Sequence, residues 1–378
     1  MRILAFGTYD VASHPRVGVL LAGLERQGHS VRELNRPLGI GTAGRVQALR
    51  SPRGAVAFAA RLLSCWLSLA WGSLRFRGAR RPDALVVGYL GHFDVLLARL
   101  LYPRANILLD HLIFAADTAA DRRLDGGVKS ALLRALDLLA LRCATTIIVD
   151  TPDHRALVPE KLRERAVVVP VGAPDAWFQA REVRTVSSST TARRPSVVFF
   201  GLFTPLQGTP TIARALRLLD EREVALDVTL IGSGQDEDEC RDILAGLSGS
   251  VRLTWRDWVG AHELPAVVAA HDVCLGIFGD SPKAGRVVPN KAFQGMAAGC
   301  ALVTSDTPVQ RAVLQDAAFV PAADPEALAD QLAFLARNPG VLEDLRVRSA
   351  CRADAAFRPE MVTDVLKAGL TGALRDRS

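Results

Sequence analysis

Cysteine is scarce in this sequence, and the few cysteines lie far apart. None of the six falls into a CxxC pair or another spacing typical of metal ligands, and most lie in apolar stretches. The pattern argues against a cysteine metal site and predicts buried free thiols in a reducing cytosol. The cysteines are Cys65, Cys143, Cys240, Cys274, Cys300 and Cys351.

Several signatures of other protein classes are missing as well. No basic run alternates with aromatic residues, so the net charge of +6 does not by itself indicate a nucleic-acid partner. The loop after the first apolar run, residues 7–10, lacks the GxGxxG fingerprint of NAD(P)-dependent dehydrogenases. There is no paired-carboxylate signature of a hydrolase and no clear metal-ligand cluster. The first apolar run, residues 3–6, is too short for the core of a signal peptide.

Length and composition fit a globular chain with two α/β domains. The 378 residues are 49% hydrophobic and 23% charged, so each half can bury a core of its own. Short apolar runs alternate with helix-like segments, beginning with strand 3–6, helix 17–26 and strand 31–34. Such a β–loop–α–β unit opens a doubly wound sheet, whose parallel strands bind ligands at their carboxyl ends. The further strands predicted in this half are 84–87, 106–109, 145–149 and 166–170.

A polar segment rich in serine and threonine, residues 184–195, interrupts this alternation and is typical of a linker. Strands and helices resume after it, which predicts a second doubly wound domain. We therefore expect an N-terminal domain, a linker, a C-terminal domain and a helical tail that packs back on the N-terminal domain. Their predicted bounds are 1–180, 181–195, 196–350 and 351–378.

Three glycine-containing segments follow one another in the second half. They are FFGLFTPLQG at 199–208, LIGSG at 230–234 and VPNKAFQGMAAGCALVT at 288–304, and VPVGAPDAWF at 169–178 precedes the linker. Glycines in such loops let the backbone approach a phosphate, and the dipole of a following helix attracts an anion. In this order the segments resemble the family 4 glycosyltransferases (glycosyl transferases group 1), which are retaining GT-B enzymes with nucleotide-sugar donors.

The resemblance implies a fold and a donor site. GT-B enzymes have two Rossmann-like, doubly wound parallel-sheet domains that face each other across a cleft, and the C-terminal domain binds the nucleotide sugar. By their positions in the motifs, the residues implied in binding the donor and its phosphates are Gly7, Gly201, Gln207, Gly208, Gly232, Gly234, Lys283, Arg286, Asn290, Lys291 and Gln294.

The sequence departs from the family pattern at charged positions. Gln207 stands where many members have a lysine, and Arg286 and Gln294 stand where the family has two glutamates. Lys283, Arg286 and Lys291 could supply the missing positive charge to the diphosphate, with a surface location as the alternative for each. Gln294 can still bond a ribose hydroxyl but brings no charge.

The first domain has polar residues at its predicted strand ends. The resemblance implies that the loop of residues 7–9 approaches the transferred sugar or diphosphate and that His92 lies near the sugar, although His92 could equally be a structural loop histidine. Arg16, at a helix start, could bind phosphate or an anionic acceptor, or lie on the surface. Asp110 could position the acceptor hydroxyl. The candidate catalytic residues are thus His92 and Asp110, and the acceptor-side candidates are Thr8, Tyr9, His14, Arg16 and Asp117.

The expected activity is transfer of a sugar from a UDP- or GDP-linked donor to a glycan, a lipid-linked sugar or a natural product, with retention. No metal or cofactor is expected, because cations and helix N-termini can stabilise the leaving diphosphate. Two alternatives stay open: a nucleotide-sugar 2-epimerase of the same fold, and a non-catalytic nucleotide-sugar-binding protein. The arginine- and alanine-rich composition is typical of a GC-rich bacterial source.

One apolar stretch, residues 55–74, has the length of a membrane span. Arg61 interrupts it and four arginines follow between 75 and 81, which favours core packing or docking on an anionic membrane surface over a true span. We therefore expect a cytoplasmic protein, with either core packing of this helix or peripheral contact of residues 55–81 with the inner face of the plasma membrane.

Overall fold

A computed structural model describes residues 1–11, 14–39, 51–89, 91–112, 114–115, 127–187, 194–367 and 370. The chain forms two compact units: unit 1 comprises Met1–Pro170 and Pro359–Ser378, and unit 2 comprises Val171–Arg358. Each unit is built on a six-stranded sheet in which all paired strands are parallel. The prediction of an α/β chain with two doubly wound parallel sheets is confirmed.

Unit 1 has helices between the strands of its sheet. Its strands are β1 (Arg2–Gly7), β2 (Ser30–Asn35), β3 (Ala84–Val87), β4 (Asn106–Asp110), β5 (Thr146–Val149) and β6 (Ala166–Val168). They are arranged in the order β2-β1-β3-β4-β5-β6. The helices are α1 (Arg16–Arg26), α2 (Pro52–Ser73), α3 (Asp94–Leu101), α4 (Gly127–Cys143), α5 (Pro152–Leu157) and α6 (Glu160–Arg163), and the 3-10 turns Leu74–Phe76 and Gly78–Arg80 follow α2.

Hydrophobic patterning explains why unit 1 opens with a strand and a helix. Residues 3–7 of β1 are all buried, as in a parallel strand covered on both faces. In α1, Val17, Leu20 and Leu24 recur at helical spacing and are all buried. Gly28 follows α1 with a φ of +83°, a conformation that favours glycine and ends the helical path.

Unit 2 repeats the architecture with a different strand order. Its strands are β7 (Ser196–Phe200), β8 (Leu226–Ile231), β9 (Val251–Arg256), β10 (Val273–Leu275), β11 (Ala301–Ser305) and β12 (Ala318–Val320), in the order β12-β11-β10-β7-β8-β9. A 3-10 turn, Ala284–Arg286, lies between β10 and the next helix. The helices are α7 (Asp175–Ser187), α8 (Thr209–Glu221), α9 (Glu237–Ile243), α10 (Leu264–Ala269), α11 (Asn290–Ala297), α12 (Pro308–Leu314), α13 (Pro325–Arg337) and α14 (Pro339–Ala356).

In both sheets the strand order reverses next to the first strand of the unit. The reversal lies between β1 and β3 in unit 1 and between β7 and β10 in unit 2. At such a switch point the loops leave the carboxyl ends of neighbouring strands toward opposite faces of the sheet, which opens a crevice for a ligand. The loops after these four strands are therefore the expected position of a ligand site in each unit.

The boundaries of the units differ from the predicted ones. The chain passes from unit 1 to unit 2 at Pro170–Val171 and returns at Arg358–Pro359, instead of at residues 180–196 and 351. Part of the predicted linker is helical, because α7 continues to Ser187. The next residues of that linker, 188–193, lie outside the described part of the chain.

Tertiary contacts explain why α7 forms in a polar stretch. Trp177 and Phe178 are buried on one side of it. Arg181 donates to both carboxylate oxygens of Asp354 in α14, at 2.9 Å each. These contacts join residues far apart in the chain, so local periodicity does not reveal the helix.

A short helix, α15 (Pro359–Thr363), belongs to unit 1 and packs on α1. Gly23 provides the space: a Cβ there would lie 2.2 Å from the carbonyl oxygen of Pro359 and 2.4 Å from Oγ1 of Thr363. Gln27 donates to the same Oγ1 at 2.8 Å. The segment that follows unit 2 in sequence thus adds a helix to the core of unit 1.

The six cysteines are free thiols, and only half of them are buried. Cys240, Cys274 and Cys300 lie inside unit 2, whereas Cys351 is exposed. Cys65 and Cys143 are half-buried. The expectation of generally buried thiols is therefore wrong for Cys351, which lies on the outer side of α14.

Candidate functional site

At the switch point of unit 2, two residues from separate motifs meet. Gln207 lies in the loop between β7 and α8, and Lys291 lies in the first turn of α11, which follows β10. The Nζ of Lys291 donates a hydrogen bond to Oε1 of Gln207 at 2.7 Å. The structure thus joins two of the predicted donor-side residues across 84 positions of sequence.

Lys291 is buried, which is rare for a lysine. Its exposed fraction is 5%, and its Nζ lies 3.6 Å from the centroid of the Phe199 ring. Burial lowers the pKa of Lys291 well below its ordinary value. No carboxylate in the described part of the chain forms an ion pair with Lys291. The residue also lies at the N-terminal, positive end of the α11 dipole. An anion bound here would stabilise its charge.

Glycines let the loops of unit 2 pack backbone against backbone. Gly208, just before α8, has a φ of +65°, and a Cβ there would lie 2.4 Å from the carbonyl carbon of Phe278. A Cβ on Gly232 would lie 1.9 Å from the carbonyl oxygen of Gly201, and one on Gly234 would lie 2.3 Å from a carbonyl oxygen of the β7–α8 loop. Close contact between loops therefore requires glycine here, whatever ligand binds.

The four remaining donor-side candidates with charged or amide side chains lie on the same helix or on the loop before it. Asn290 is exposed at the start of α11, and Gln294 is buried one turn after Lys291. Lys283 directly precedes the 3-10 turn and Arg286 ends it, and both are half-buried. Gly201 keeps room for the ammonium group, because a Cβ there would lie 2.9 Å from Nζ of Lys291.

At the switch point of unit 1, a carboxylate occupies the loop. Asp94 begins α3, and its Oδ2 accepts hydrogen bonds from the backbone N of Thr8 at 2.7 Å and from Oγ1 of Thr8 at 2.8 Å. Its Oδ1 accepts from Nε1 of Trp66 at 3.1 Å. A Cβ on Gly7 would lie 3.0 Å from Oδ2 of Asp94. The predicted loop of Gly7 and Thr8 is therefore bonded to an anion of the chain itself.

Tyr9 and His14, two acceptor-side candidates, both contact other side chains of unit 1. Tyr9 is 2% exposed and its hydroxyl donates to Oε2 of Glu33 at 3.0 Å. Burial, together with the charge of Glu33, raises the pKa of Tyr9. The ring centroids of His14 and Tyr89 are 3.8 Å apart. Tyr9 is thus part of the core, whereas His14 is half-buried in the loop before α1.

Arg16 and Asp110 form a buried ion pair. The Nε of Arg16 donates to Oδ1 of Asp110 at 2.8 Å, and its Nη2 donates to the carbonyl oxygen of Val169 at 3.0 Å. Burial raises the pKa of Asp110, and the charge of Arg16 opposes this. In the described part of the chain, Nη1 of Arg16 and Oδ2 of Asp110 are buried without a hydrogen-bond partner. The sequence suggests Arg16 as a ligand for an anion, but in the structure Asp110 already matches its charge.

His92 lies in a buried cluster with His111 and Asp137. The Nε2 of His92 is 3.0 Å from Oδ1 of Asp137, and the backbone N of Ala115 donates to the same oxygen at 3.0 Å. The Nε2 of His111 lies 3.9 Å from that oxygen and has no hydrogen-bond partner among the described residues. The two imidazole centroids are 4.8 Å apart.

Burial and hydrogen bonding set the protonation states of this cluster. Burial, followed by the charge of nearby His92, lowers the pKa of His111 from 6.5 to about 3. Burial alone would raise the pKa of Asp137, but the hydrogen bonds from His92 and Ala115 outweigh it and lower the pKa. Two ring nitrogens and one carboxylate oxygen within 4.8 Å of one another form a ligand set that could hold a metal ion such as Zn²⁺.

Most of the β/α alternation of unit 2 matches a known family model. Residues 194–338 match the model for Glycosyl transferases group 1, from the approach to β7 to the residue after α13. The matched range contains the loops that join Gln207 to Lys291. This chain is a glycosyltransferase. The prediction of an enzyme that uses a nucleotide-sugar donor is confirmed, and no curated protein matches the chain.

Solved structures share the fold of the glycosyltransferase over nearly its whole length. Sucrose-phosphate synthase of Thermosynechococcus elongatus has a TM-score of 0.67 at 16% identity, covering 100% of this chain and 99% of that one. HepE of Anabaena, solved with UDP-glucose, has a TM-score of 0.64 at 13% identity, covering 98% and 99%. The α,α-trehalose 6-phosphate synthase of Burkholderia multivorans has a TM-score of 0.64 at 15% identity, covering 100% and 99%. At these identities the likeness shows the GT-B fold.

Two acidic residues of the glycosyltransferase are absent from the sequence-based candidates. Asp137 is a single carboxylate among the leucines and alanines of α4. An acidic residue on the buried side of an apolar helix indicates that its carboxylate has a polar partner inside the protein. Asp94 directly follows the loop after β3, and its position at a helix start suggests only a favourable interaction with the helix dipole. Asp117, a predicted acceptor-side residue, lies outside the described residues.

Proposed function

We propose that the glycosyltransferase moves a sugar from a UDP- or GDP-linked donor to its acceptor with retention of the anomeric configuration. The observation that carries the proposal is Lys291, a buried ammonium group that bonds the side-chain amide of Gln207 and pairs with no carboxylate in the described part of unit 2. A donor diphosphate supplies the negative charge that this position lacks. HepE, whose fold this chain shares, has been solved with UDP and with UDP-glucose, which supports a uridine donor.

The proposed mechanism stabilises the leaving group electrostatically. As the bond from the anomeric carbon to the diphosphate breaks, negative charge grows on the diphosphate oxygens, where Lys291 and the first N–H groups of α11 would stabilise it. The acceptor hydroxyl attacks on the same face and passes its proton to the departing phosphate oxygen, so no protein nucleophile is needed. We propose that no cofactor is needed either, because Lys291 provides the positive charge that Mg²⁺ provides in other transferases.

Three further side chains have proposed roles around this reaction. His92 is proposed to contact the transferred sugar, because Asp137 bonds Nε2, fixes the ring and leaves Nδ1 for a hydroxyl. Asp110 is proposed as a positioning residue that acts through its ion pair with Arg16. Gln294, one turn after Lys291, is proposed to bond a hydroxyl of the donor ribose.

We further propose that the enzyme works in the cytoplasm and docks at the inner face of the plasma membrane. Among the described helices, that of Arg53–Phe76 is long and apolar enough to cross a membrane, with a mean hydropathy of 1.4 over its most apolar window. Only 11% of that window is buried within the protein. So little burial supports contact with a membrane rather than simple core packing.

Calorimetric titration of the purified enzyme with UDP, GDP, dTDP and ADP tests the donor site. We expect one nucleotide to bind clearly more tightly than the others, and the corresponding nucleotide sugar is then incubated with candidate acceptors. Nuclear magnetic resonance of the product reports its anomeric configuration. Binding of none of the four nucleotides would contradict the donor site, and an inverted product would contradict retention. A free isomerised sugar with no glycoside would instead indicate the epimerase.

A further inference from the structure

The exposed side of α2 and the turn after it carries a continuous apolar stripe. Its members are 47–75% exposed and follow one another at intervals of seven, four, four and three residues. At 3.6 residues per turn this spacing places all of them on one side of a helix. The members of this stripe, called the α2 stripe below, are Val56, Leu63, Leu67, Trp71 and Leu74.

The opposite side of α2 is fixed to the core of unit 1. Phe58 is 7% exposed and Leu69 is fully buried. Gly72 packs closely on Leu34, since a Cβ on Gly72 would lie 2.6 Å from Cδ1 of Leu34. Trp66 is anchored by the hydrogen bond of its Nε1 to Asp94. The helix therefore has two apolar sides, and a membrane span would require it to leave the core of unit 1.

Positive charge is concentrated in the same segment. Residues 34–82 contain nine arginines and no lysine, aspartate or glutamate, while the whole chain has a net charge of +6. The rest of the chain therefore has a net charge of −3. Arg53, Arg75, Arg77 and Arg80 are exposed at the two ends of the α2 stripe. None of these four has an ion pair with a carboxylate in the described part of the chain.

We propose that the α2 stripe inserts into the surface of an anionic lipid bilayer, with α2 parallel to the membrane and its flanking arginines bound to lipid phosphates. The inference makes the proposed membrane location specific and does not depend on the sugar that is transferred. Apolar side chains gain by leaving water at the acyl boundary, and Trp71 suits the head-group level. Guanidinium groups bind phosphate through paired hydrogen bonds.

Charge favours this occupant over a second copy of the chain. In a symmetric dimer through the α2 stripe, two segments with nine arginines each would face one another, and their like charges would repel. An uncharged bilayer would use the stripe but leave the arginines without a role. An anionic surface matches both features at once.

Flotation of the full chain with vesicles tests the proposal. The vesicles contain phosphatidylcholine alone or phosphatidylcholine mixed with phosphatidylglycerol. The stripe variant changes Leu63, Leu67 and Trp71 to serine, and the charge variant changes Arg75, Arg77 and Arg80 to glutamine. The matched control is Trp258→Ser in unit 2, because Trp258 is 79% exposed and Trp71 is 75% exposed.

We expect the wild type and the control to bind only the phosphatidylglycerol vesicles, more weakly in high salt. The charge variant should lose about 100-fold in affinity, and the stripe variant should lose binding to a similar degree. Equal binding of all variants, or no binding by the wild type, would overturn the proposal. If the wild type is a dimer and the stripe variant is a monomer, the α2 stripe contacts a second copy of the chain instead.

Nucleotide affinity of each variant, measured without vesicles, separates this inference from the proposed function. We expect it to be unchanged, because the substituted side chains are exposed and lie in unit 1. A wild type that binds vesicles but no nucleotide would contradict the donor site and leave the docking surface standing. A wild type that binds nucleotide but no vesicles would overturn the docking surface alone.

Discussion

The switch points of the two sheets place opposite charges in equivalent positions. In unit 1, Asp94 at the start of α3 lies against the loop after β1; in unit 2, Lys291 at the start of α11 lies against the loop after β7. A Cβ on Gly7 would lie 3.0 Å from the carboxylate, and a Cβ on Gly201 would lie 2.9 Å from the ammonium group. The two units thus share one geometry and differ in the sign of the buried charge.

We propose that this difference adapts one architecture to two kinds of ligand. In unit 1 the amide of the first loop already donates to a carboxylate of the chain, and Arg16 is paired with Asp110. Because Arg16 and Asp110 neutralise each other, we propose that this end of the sheet binds a neutral ligand such as a sugar hydroxyl. In unit 2, Lys291 has no carboxylate partner among the described residues, and we propose that it binds an anionic ligand. On this proposal, topology sets the position of each site, and a single side chain selects the charge of the ligand.

The largest expected effect is on the cation of unit 2. Lys291→Met keeps the length of the side chain and removes its charge, so the affinity for the nucleotide diphosphate should fall about 100-fold, equivalent to ~3 kcal/mol. Stability should be maintained or increased, because the variant no longer buries a charge. Calorimetric titration measures the affinity, with Lys161→Met, an exposed lysine of unit 1, as the control. Unchanged affinity in Lys291→Met would exclude this switch point as the donor site.

A smaller effect is expected from the anion of unit 1. Asp94→Asn keeps the shape of the side chain but weakens both hydrogen bonds from Thr8, so the free energy of unfolding should fall by about 1–3 kcal/mol. Urea denaturation measures this, and the exposed Glu164→Gln should change stability by less than about 0.5 kcal/mol. Nucleotide affinity should not change. If Asp94→Asn is as stable as the wild type, the carboxylate does not hold the loop, and the comparison between the units fails.

The effect that is smallest per pH unit is a pH dependence specific to unit 1. The pKa of His111 is lowered from 6.5 to about 3 in the folded chain, so between these values the unfolded chain binds a proton that the folded chain does not. Stability should therefore fall as pH falls from 6.5 toward 3, by at most about 1.4 kcal/mol per pH unit from this group. Above pH 6.5 His111 should contribute no slope.

Urea denaturation at a series of pH values measures this dependence. His111→Asn should reduce the acid slope, and His262→Asn, an exposed histidine of unit 2, should leave it unchanged. Identical slopes in the wild type and in His111→Asn would show that His111 titrates at its ordinary pKa.

The sheets and the donor loops could be predicted because their signals are local. An apolar run followed by glycine marks the end of a buried strand, and the strand predicted at 84–87 has the same bounds as β3. The motifs also single out Gln207 and Lys291 as candidates. Their direct hydrogen bond could not, because it depends on how the loops after β7 and β10 pack together.

The partners of the buried charged side chains in unit 1 could not be predicted from the sequence. Asp94 reaches Thr8 across 86 positions, and Arg16 reaches Asp110 across 94. The sequence shows only that each residue lies at a strand or helix end. That position does not distinguish a residue that binds a ligand from one that pairs with another residue of the protein. The boundary of the units was missed for the same reason, since α7 depends on the distant partner Asp354.

The helix α15 has a consequence for biosynthesis. It follows unit 2 in the chain but fills the surface of α1 at Gly23, so unit 2 is an insertion within unit 1. On the ribosome, unit 2 has all its residues and can fold before the last helix of unit 1 has been synthesised. Unit 1, whose synthesis begins first, can therefore complete its folding only after unit 2 has been synthesised. An expression fragment that stops at residue 180 would leave α1 uncovered and prone to aggregate.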